Sequence, residues 1–143
     1  MESPRARDRP GQRLEAVGAL LVVCRLPPDD PIPGWALAGE WWSVSRSPDE
    51  LSIICEEGLV PAGVAHGGRW RGLRVEGPLD HDLVGVLATV AEPLSSAGIP
   101  IFAISTHDTD WVLVPEHRLG QAASVLRAAG HHLRPSPSAP GDG

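Results

Sequence analysis

Lysine, asparagine and tyrosine are absent from the sequence, so all 12 basic residues are arginine. The arginines form no cluster, and the formal net charge is −6. A nucleic-acid-binding surface needs basic side chains concentrated on one face, so this composition argues against a nucleic-acid partner. The apolar run that follows residue 13 is too short to span a membrane, and no signal-like cleavage site follows it. We therefore expect a cytoplasmic protein that does not contact membranes.

Cysteine is also scarce. Cys24 and Cys55 are the only two, and each lies inside an apolar run typical of a buried strand. Two embedded cysteines are too few for a disulfide framework or a zinc site. We expect both to be buried free thiols.

The two ends of the chain differ from its middle. Residues 1–12 and 134–143 are polar and proline-bearing, with too little apolar surface to fold, and we expect them to be disordered. Between them, 13–69 and 70–133 predict two units, the first of which is a degenerate copy of the second. The copies share an apolar lead-in, a serine at Ser45 or Ser105, an acid-bearing turn and an apolar return strand.

The second unit has the more regular pattern. It predicts a strand from Trp70, a helix from about Asp80 to Gly98, a hairpin, a second helix ending at Gly130 and a short final strand. Asp80 is the expected N-cap of the first helix, and Pro93 should cost that helix one hydrogen bond. The order strand, helix, strand, strand, helix, strand predicts an α+β, ferredoxin-like fold with both helices on one face of an antiparallel sheet.

The hairpin carries an unusual polar segment. In "IFAISTHDTDWVLVP", residues 101–115, two apolar runs flank Ser105-Thr106-His107-Asp108-Thr109-Asp110. A turn needs only one or two such residues. This segment is therefore a candidate binding site as well as a turn, although Asp108 and His107 are readily explained as turn residues.

From residue 72 to 133 the sequence resembles the ligand-binding ACT domain. The matching pieces are a glycine in the first turns of the helix, its "AGI" ending and the "ISTHDTDWVLV" hairpin. The resemblance is to the subgroup that contains small tandem-ACT bacterial proteins and the cytosolic arginine sensors of the CASTOR family. It implies a two-unit, ferredoxin-like regulatory protein that binds a small effector, usually an amino acid, and uses no cofactor.

The resemblance also implies where the ligand binds: between the loop leading into the first helix and the neighbouring strand of a partner unit. With two units, the pocket would be completed in a homodimer, which would act on an unknown protein partner. The corresponding positions, in loop 77–85 and in the hairpin, are Asp80, Asp82, Leu83, Val84, Gly85, Ile104, Ser105, Thr106 and Asp110.

Three alternatives stay open at the level of sequence. His81, Asp82, His107, Asp108 and Asp110 include the ligand types of a zinc or manganese site, but their spacing follows no metal motif. No GxSxG or comparable catalytic motif occurs, so we expect no enzymatic activity. The protein could also be an ACT-like dimerisation module without a ligand.

Trp41, Trp42 and Trp111 are expected to pack in the core or between subunits.

Overall fold

The computed structural model describes residues 11–77 and 85–134. Its strands and helices are β1 (Arg13–Leu26), β2 (Ser43–Arg46), β3 (Leu51–Glu56), β4 (Trp70–Val75), α1 (Val86–Ser96), β5 (Phe102–Ser105), β6 (Asp110–Pro115), α2 (Leu119–Ala128) and β7 (His132–Arg134). From β4 onwards this is the predicted order, and the α+β fold class is confirmed. No helix in the described part of the chain is long and apolar enough to cross a membrane. The disorder predicted for residues 1–12 and 134–143 falls almost wholly outside the described residues, apart from Gly11, Gln12 and Arg134.

The chain forms two compact units, and one is inserted into the other. The inserted unit is Ala19–Trp70, and the discontinuous unit consists of the described residues up to Gly18 and from Arg71 on. The first unit was predicted to begin at residue 13. Residues 13–18 group instead with the second unit, because β1 runs through both units and only its C-terminal part pairs with β3.

In the discontinuous unit the strands are ordered β7, β1, β4, β6 and β5. The first strand of the chain thus lies between β4 and β7, and β1 pairs with β7 in parallel. Alternate strand residues pack against the two helices, because successive side chains point to opposite faces of a sheet. The buried core consists of Leu14, Leu73, Val75, Val112 and Val114 from the strands, Val90, Leu94, Ala122 and Leu126 from the helices, and Ile99.

In the inserted unit β3 pairs with both β1 and β2 in antiparallel fashion. In its chain order the inserted unit has short 3-10 helices, Gly34–Leu37 and Glu57–Leu59, at the two positions where the other unit has α1 and α2. Its core contains Cys24 and Cys55 together with Val22, Ala36, Leu51 and Ile53. Both cysteines are buried and free, as predicted.

Helix α1 begins later than the sequence suggested. Its N-cap is Gly85, so the assignment of that role to Asp80 is wrong, and Asp80 itself lies outside the described residues. The N-cap adopts a left-handed conformation, φ 78° and ψ 15°, which strongly favours glycine over an acidic residue. Pro93 lies inside the helix, and Gly98 follows its end with φ 73°, both as predicted.

Candidate functional site

The polar hairpin segment contains a tight turn from Thr106 to Thr109. The Thr106 amide donates to the Thr109 carbonyl over 2.9 Å, and the Thr106 hydroxyl donates to the same oxygen over 3.0 Å. At the tip, His107 Nδ1 and an Asp108 carboxylate oxygen are 2.9 Å apart, and both side chains are largely exposed. These four residues therefore account for the turn itself, which leaves Ser105 and Asp110 at its base.

Ser105 and Asp110 lie opposite each other where β5 pairs with β6. The Ser105 hydroxyl donates to Asp110 Oδ1 over 2.6 Å. Among the described residues, the other carboxylate oxygen of Asp110 receives no hydrogen bond, and the side chain is only half-buried. This carboxylate is held in place by a neighbour and keeps acceptor capacity for a ligand.

Thr109 ties the hairpin to the end of β4. Its side chain is buried, with 4% exposure, and its hydroxyl bonds to the Val75 carbonyl. Val75 is the last residue of β4, and the connection to α1 follows it directly. The hairpin turn and the loop predicted to bind the ligand thus start from neighbouring points at one end of the sheet. Sequence reasoning missed this role of Thr109, because no local pattern indicates a partner 34 positions earlier in the chain.

The start of α1 lies at the other end of that loop and has backbone donors that the helix itself leaves without acceptors. The first hydrogen bond onto the cap runs from the Thr89 amide to the Gly85 carbonyl. The amides of Val86, Leu87 and Ala88 therefore have no partner within the helix. Among the described residues no side chain caps this end, and the first turn of the helix holds no acid. A helix N-terminus of this kind favours an anion, for example a ligand carboxylate.

The remaining predicted residues divide into two groups. Ile104 lies on β5, paired with Trp111, and is half-buried. The Arg74 guanidinium lies 5.8 Å from the centroid of the Trp111 ring, and both side chains are on the face of the sheet opposite the helices. Asp80, Asp82, Leu83 and Val84 lie outside the described residues. The structure places Ser105, Thr106 and Asp110 together at the hairpin and Gly85 at the start of α1, and the role of all these residues in ligand binding stays a prediction.

The metal alternative gains no support from the described residues, which contain no group of three or more His, Cys, Asp or Glu side chains placed to hold an ion. Two of its five candidates, His81 and Asp82, lie outside them. Trp42 is 44% exposed, so it is not a core residue, and packing between subunits stays the prediction for it.

Comparison with known proteins finds one family model that matches the part of the chain containing both the hairpin and α1. The model described as "ACT domain" matches residues 66–128, and a second, described as an N-terminal domain, matches residues 21–63. The chain is similar to the cytosolic arginine sensor for mTORC1 subunit 1 of Bos taurus and of Homo sapiens. Each is 42% identical over 62 residues, 43% of this chain and 19% of the sensor. The chain thus matches about a fifth of the length of these curated relatives.

Solved structures resemble most of the chain, across both units. A crystal structure of an Agobacterium tumefaciens protein is 34% identical, with a TM-score of 0.86, over 94% of this chain and 100% of that one. The regulatory subunit of aspartate kinase from Thermus flavus is 12% identical, with a TM-score of 0.57, over 85% and 99%. At that identity the second similarity shows the fold alone.

Proposed function

Because the chain belongs to the ACT domain family, we propose that it binds a small effector, an amino acid, and works as a regulatory sensor without catalysis of its own. One observation carries this proposal. A half-buried acid with spare acceptor capacity, Asp110, lies on the hairpin that Thr109 ties to the end of β4, where the loop into α1 begins. Family members place their ligand at this loop.

The two ends of an α-amino acid have complementary groups here. Its ammonium needs carboxylate or carbonyl acceptors, which Asp110 supplies. Its carboxylate needs backbone N–H donors, which the uncapped start of α1 supplies. Asp80 and Asp82 in the connecting loop add negative charge, so a cationic or neutral amino acid fits this site better than an acidic one. The similarity to a sensor named for arginine supports the basic amino acids as first choice.

We place the second half of the pocket in another copy of the chain. Within the described ranges, β5 is the last strand on its side of the discontinuous unit, and it therefore offers an edge along which a second chain can add a strand. Its side chains suit such an interface, since Phe102 is 40% exposed and Ala103 is exposed. A homodimer joined at β5 would set Ser105 and Asp110 beside a partner's helix-entry loop. In this proposal the ligand alters the dimer and, through it, an unknown protein partner in the cytoplasm.

The same edge supports a second candidate function. An exposed apolar edge strand is enough for a dimerisation module that has lost its ligand, and the shortened helices of the inserted unit are consistent with such a loss. The two candidates differ in whether an amino acid stabilises the protein.

A thermal-shift screen against the twenty amino acids at millimolar concentration separates the two functions. A ligand that binds only the folded state, at about a hundred times its Kd, adds about 3 kcal/mol to stability. We expect a selective shift, with the basic amino acids tested first, and we expect Asp110→Ala to abolish it. Asp108→Ala, which removes an equal charge at the exposed turn tip, is the matched control and should keep the full shift.

Two results would contradict the assignment. An unchanged ligand response in Asp110→Ala would remove Asp110 from the site. Flat curves for the unmodified protein across the whole panel, with a stable dimer in solution, would favour the ligand-free module.

A further inference from the structure

A second cluster of polar side chains lies at the same end of the sheet but on its other edge. It is built by the parallel pairing of β1 with β7, in which Arg13 is opposite His132 and Glu15 is opposite Arg134. Leu14 and Leu133 pack against the helices. The residues on either side of them therefore point to the face that carries no helix. The register thus places four ionisable side chains together on one open face.

Glu76 completes this cluster from the β4 side. Its amide donates to the Arg13 carbonyl over 2.7 Å, which holds the end of β4 beside the start of β1. Together Arg13, Glu76, His132 and Arg134 line a cavity of about 240 Å³. Three of the four lining residues carry basic side chains, in a protein whose net charge is negative.

The two arginines and two glutamates of this cluster balance in charge, but their ion pairs are unevenly distributed. Arg134 contacts both acids, with its guanidinium 3.3 Å from Glu15 and also paired with Glu76. Both carboxylates are therefore directed to one arginine. Arg13 is exposed and, within the part of the chain that the structure describes, forms no ion pair. Its cross-strand neighbour is His132, which is also exposed. The Arg13 guanidinium therefore has the His132 imidazole as its cross-strand neighbour and no paired carboxylate among the described residues.

From this arrangement we infer that the cavity, hereafter the β1–β7 cavity, binds a small oxyanion bearing a carboxylate or a phosphate. Arg13 supplies the planar fork of donors that matches either group, and the His132 imidazole supplies an N–H in each of its protonation states. Glu76 and Arg134, already paired, form the opposite wall. The cavity is smaller than ordinary drug-sized pockets, which suits an anion of a few heavy atoms.

The inference is independent of the proposed amino-acid site. That site uses Asp110 and the start of α1, whereas the β1–β7 cavity uses the first and last strands of the fold. Both adjoin the connection between β4 and α1, because Glu76 is the residue that follows β4.

The test is an NMR titration of ¹⁵N-labelled full-length protein with sodium phosphate and, separately, sodium succinate, each against sodium chloride at equal ionic strength. We expect saturable shifts at the Arg13, Glu76 and His132 amides for at least one anion. The anion that binds more tightly shows whether the cavity prefers a phosphate or a carboxylate. Because a charge-assisted bidentate contact is lost, Arg13→Gln should weaken binding about tenfold or more, and His132→Gln should weaken it to a smaller extent.

Arg127→Gln is the matched control, since it removes the same charge from an exposed position on α2. It should bind like the unmodified protein, and so should Asp110→Asn, which disables only the amino-acid site. Shifts that do not saturate for either anion, or equal weakening in Arg13→Gln and Arg127→Gln, would overturn the inference. A loss of anion binding in Asp110→Asn would also overturn it, by merging the two sites into one.

Discussion

Gly85 is the residue on which the geometry of the proposed ligand loop depends most directly. Its φ of 78° is one that side chains other than glycine adopt only at a cost of roughly 1–2 kcal/mol. Gly85→Ala should therefore lower the free energy of unfolding by about 1 kcal/mol and displace the donors at the start of α1. The loss in binding free energy should exceed the loss in the free energy of unfolding. Calorimetry with the amino acid found in the screen measures the first, and denaturant unfolding measures the second.

Gly120 provides the comparison. It lies in α2 with ordinary helical backbone, and open space surrounds the position of an added Cβ. Gly120→Ala should stabilise the protein by roughly 0.5–1 kcal/mol and leave ligand affinity unchanged. If Gly85→Ala bound ligand as tightly as the unmodified protein, the start of α1 would not be part of the pocket.

Residue-level features of this kind were only partly readable from the sequence. A glycine in the first turns of the helix was recognised, but Asp80 was assigned as the cap because acids are common at that position. A left-handed cap depends on the path of the incoming loop, which no local pattern encodes. Thr109 was passed over as a turn residue for a related reason, since its partner Val75 lies 34 positions earlier in the chain.

At the level of elements, a side chain from outside α1 replaces a hydrogen bond that the helix lacks. Pro93 has no N–H, so the carbonyl of Thr89, four residues earlier, lacks its usual helical donor. His131, just before β7, fills the gap: its Nε2 lies 2.8 Å from that carbonyl in a buried position. Its Nδ1 accepts the Gln12 amide over 2.9 Å. One imidazole thus joins α1, the start of β1 and the start of β7, with its proton on Nε2.

A double-mutant cycle tests this repair. His131→Ala should cost about 2–3 kcal/mol, because it leaves a buried carbonyl and a part-buried amide without partners. In a Pro93→Ala background the helix regains its own donor for Thr89, so the same substitution should cost about 1 kcal/mol less. His117→Ala, at an exposed histidine, should have little effect on urea unfolding. Equal costs of His131→Ala in both backgrounds would show that the histidine does not compensate for the proline.

On the scale of the whole molecule, the sequence predicted the elements better than their connections. The βαββαβ order, the C-terminal ends of both helices and the buried thiols were readable because each depends on local periodicity, turn residues and hydrophobicity. The insertion of one unit into the other was not. Residues 13–18 and 19–26 form one continuous strand, and nothing in its pattern tells which half pairs with β7 and which with β3.

This topology makes a prediction about cooperativity. Both ends of the inserted unit continue into strands of the discontinuous unit, through β1 and β4. We therefore expect the two units to unfold in one transition. Cys24 and Cys55, in the core of the inserted unit, can report on it. Burial raises the pKa of Cys55 to about 11 and raises the pKa of Cys24 as well, so the folded protein presents almost no thiolate near neutral pH.

The experiment measures how fast a thiol reagent labels these cysteines at about pH 8. Labelling should require unfolding, and both thiols should react at once in denaturant. His131→Ala weakens only the discontinuous unit, yet under cooperative unfolding it should speed labelling by the factor by which it raises the unfolded population. A labelling rate equal to that of the unmodified protein would show that the inserted unit opens by itself. In that case a ligand bound at Asp110 would stabilise its own unit without protecting these thiols.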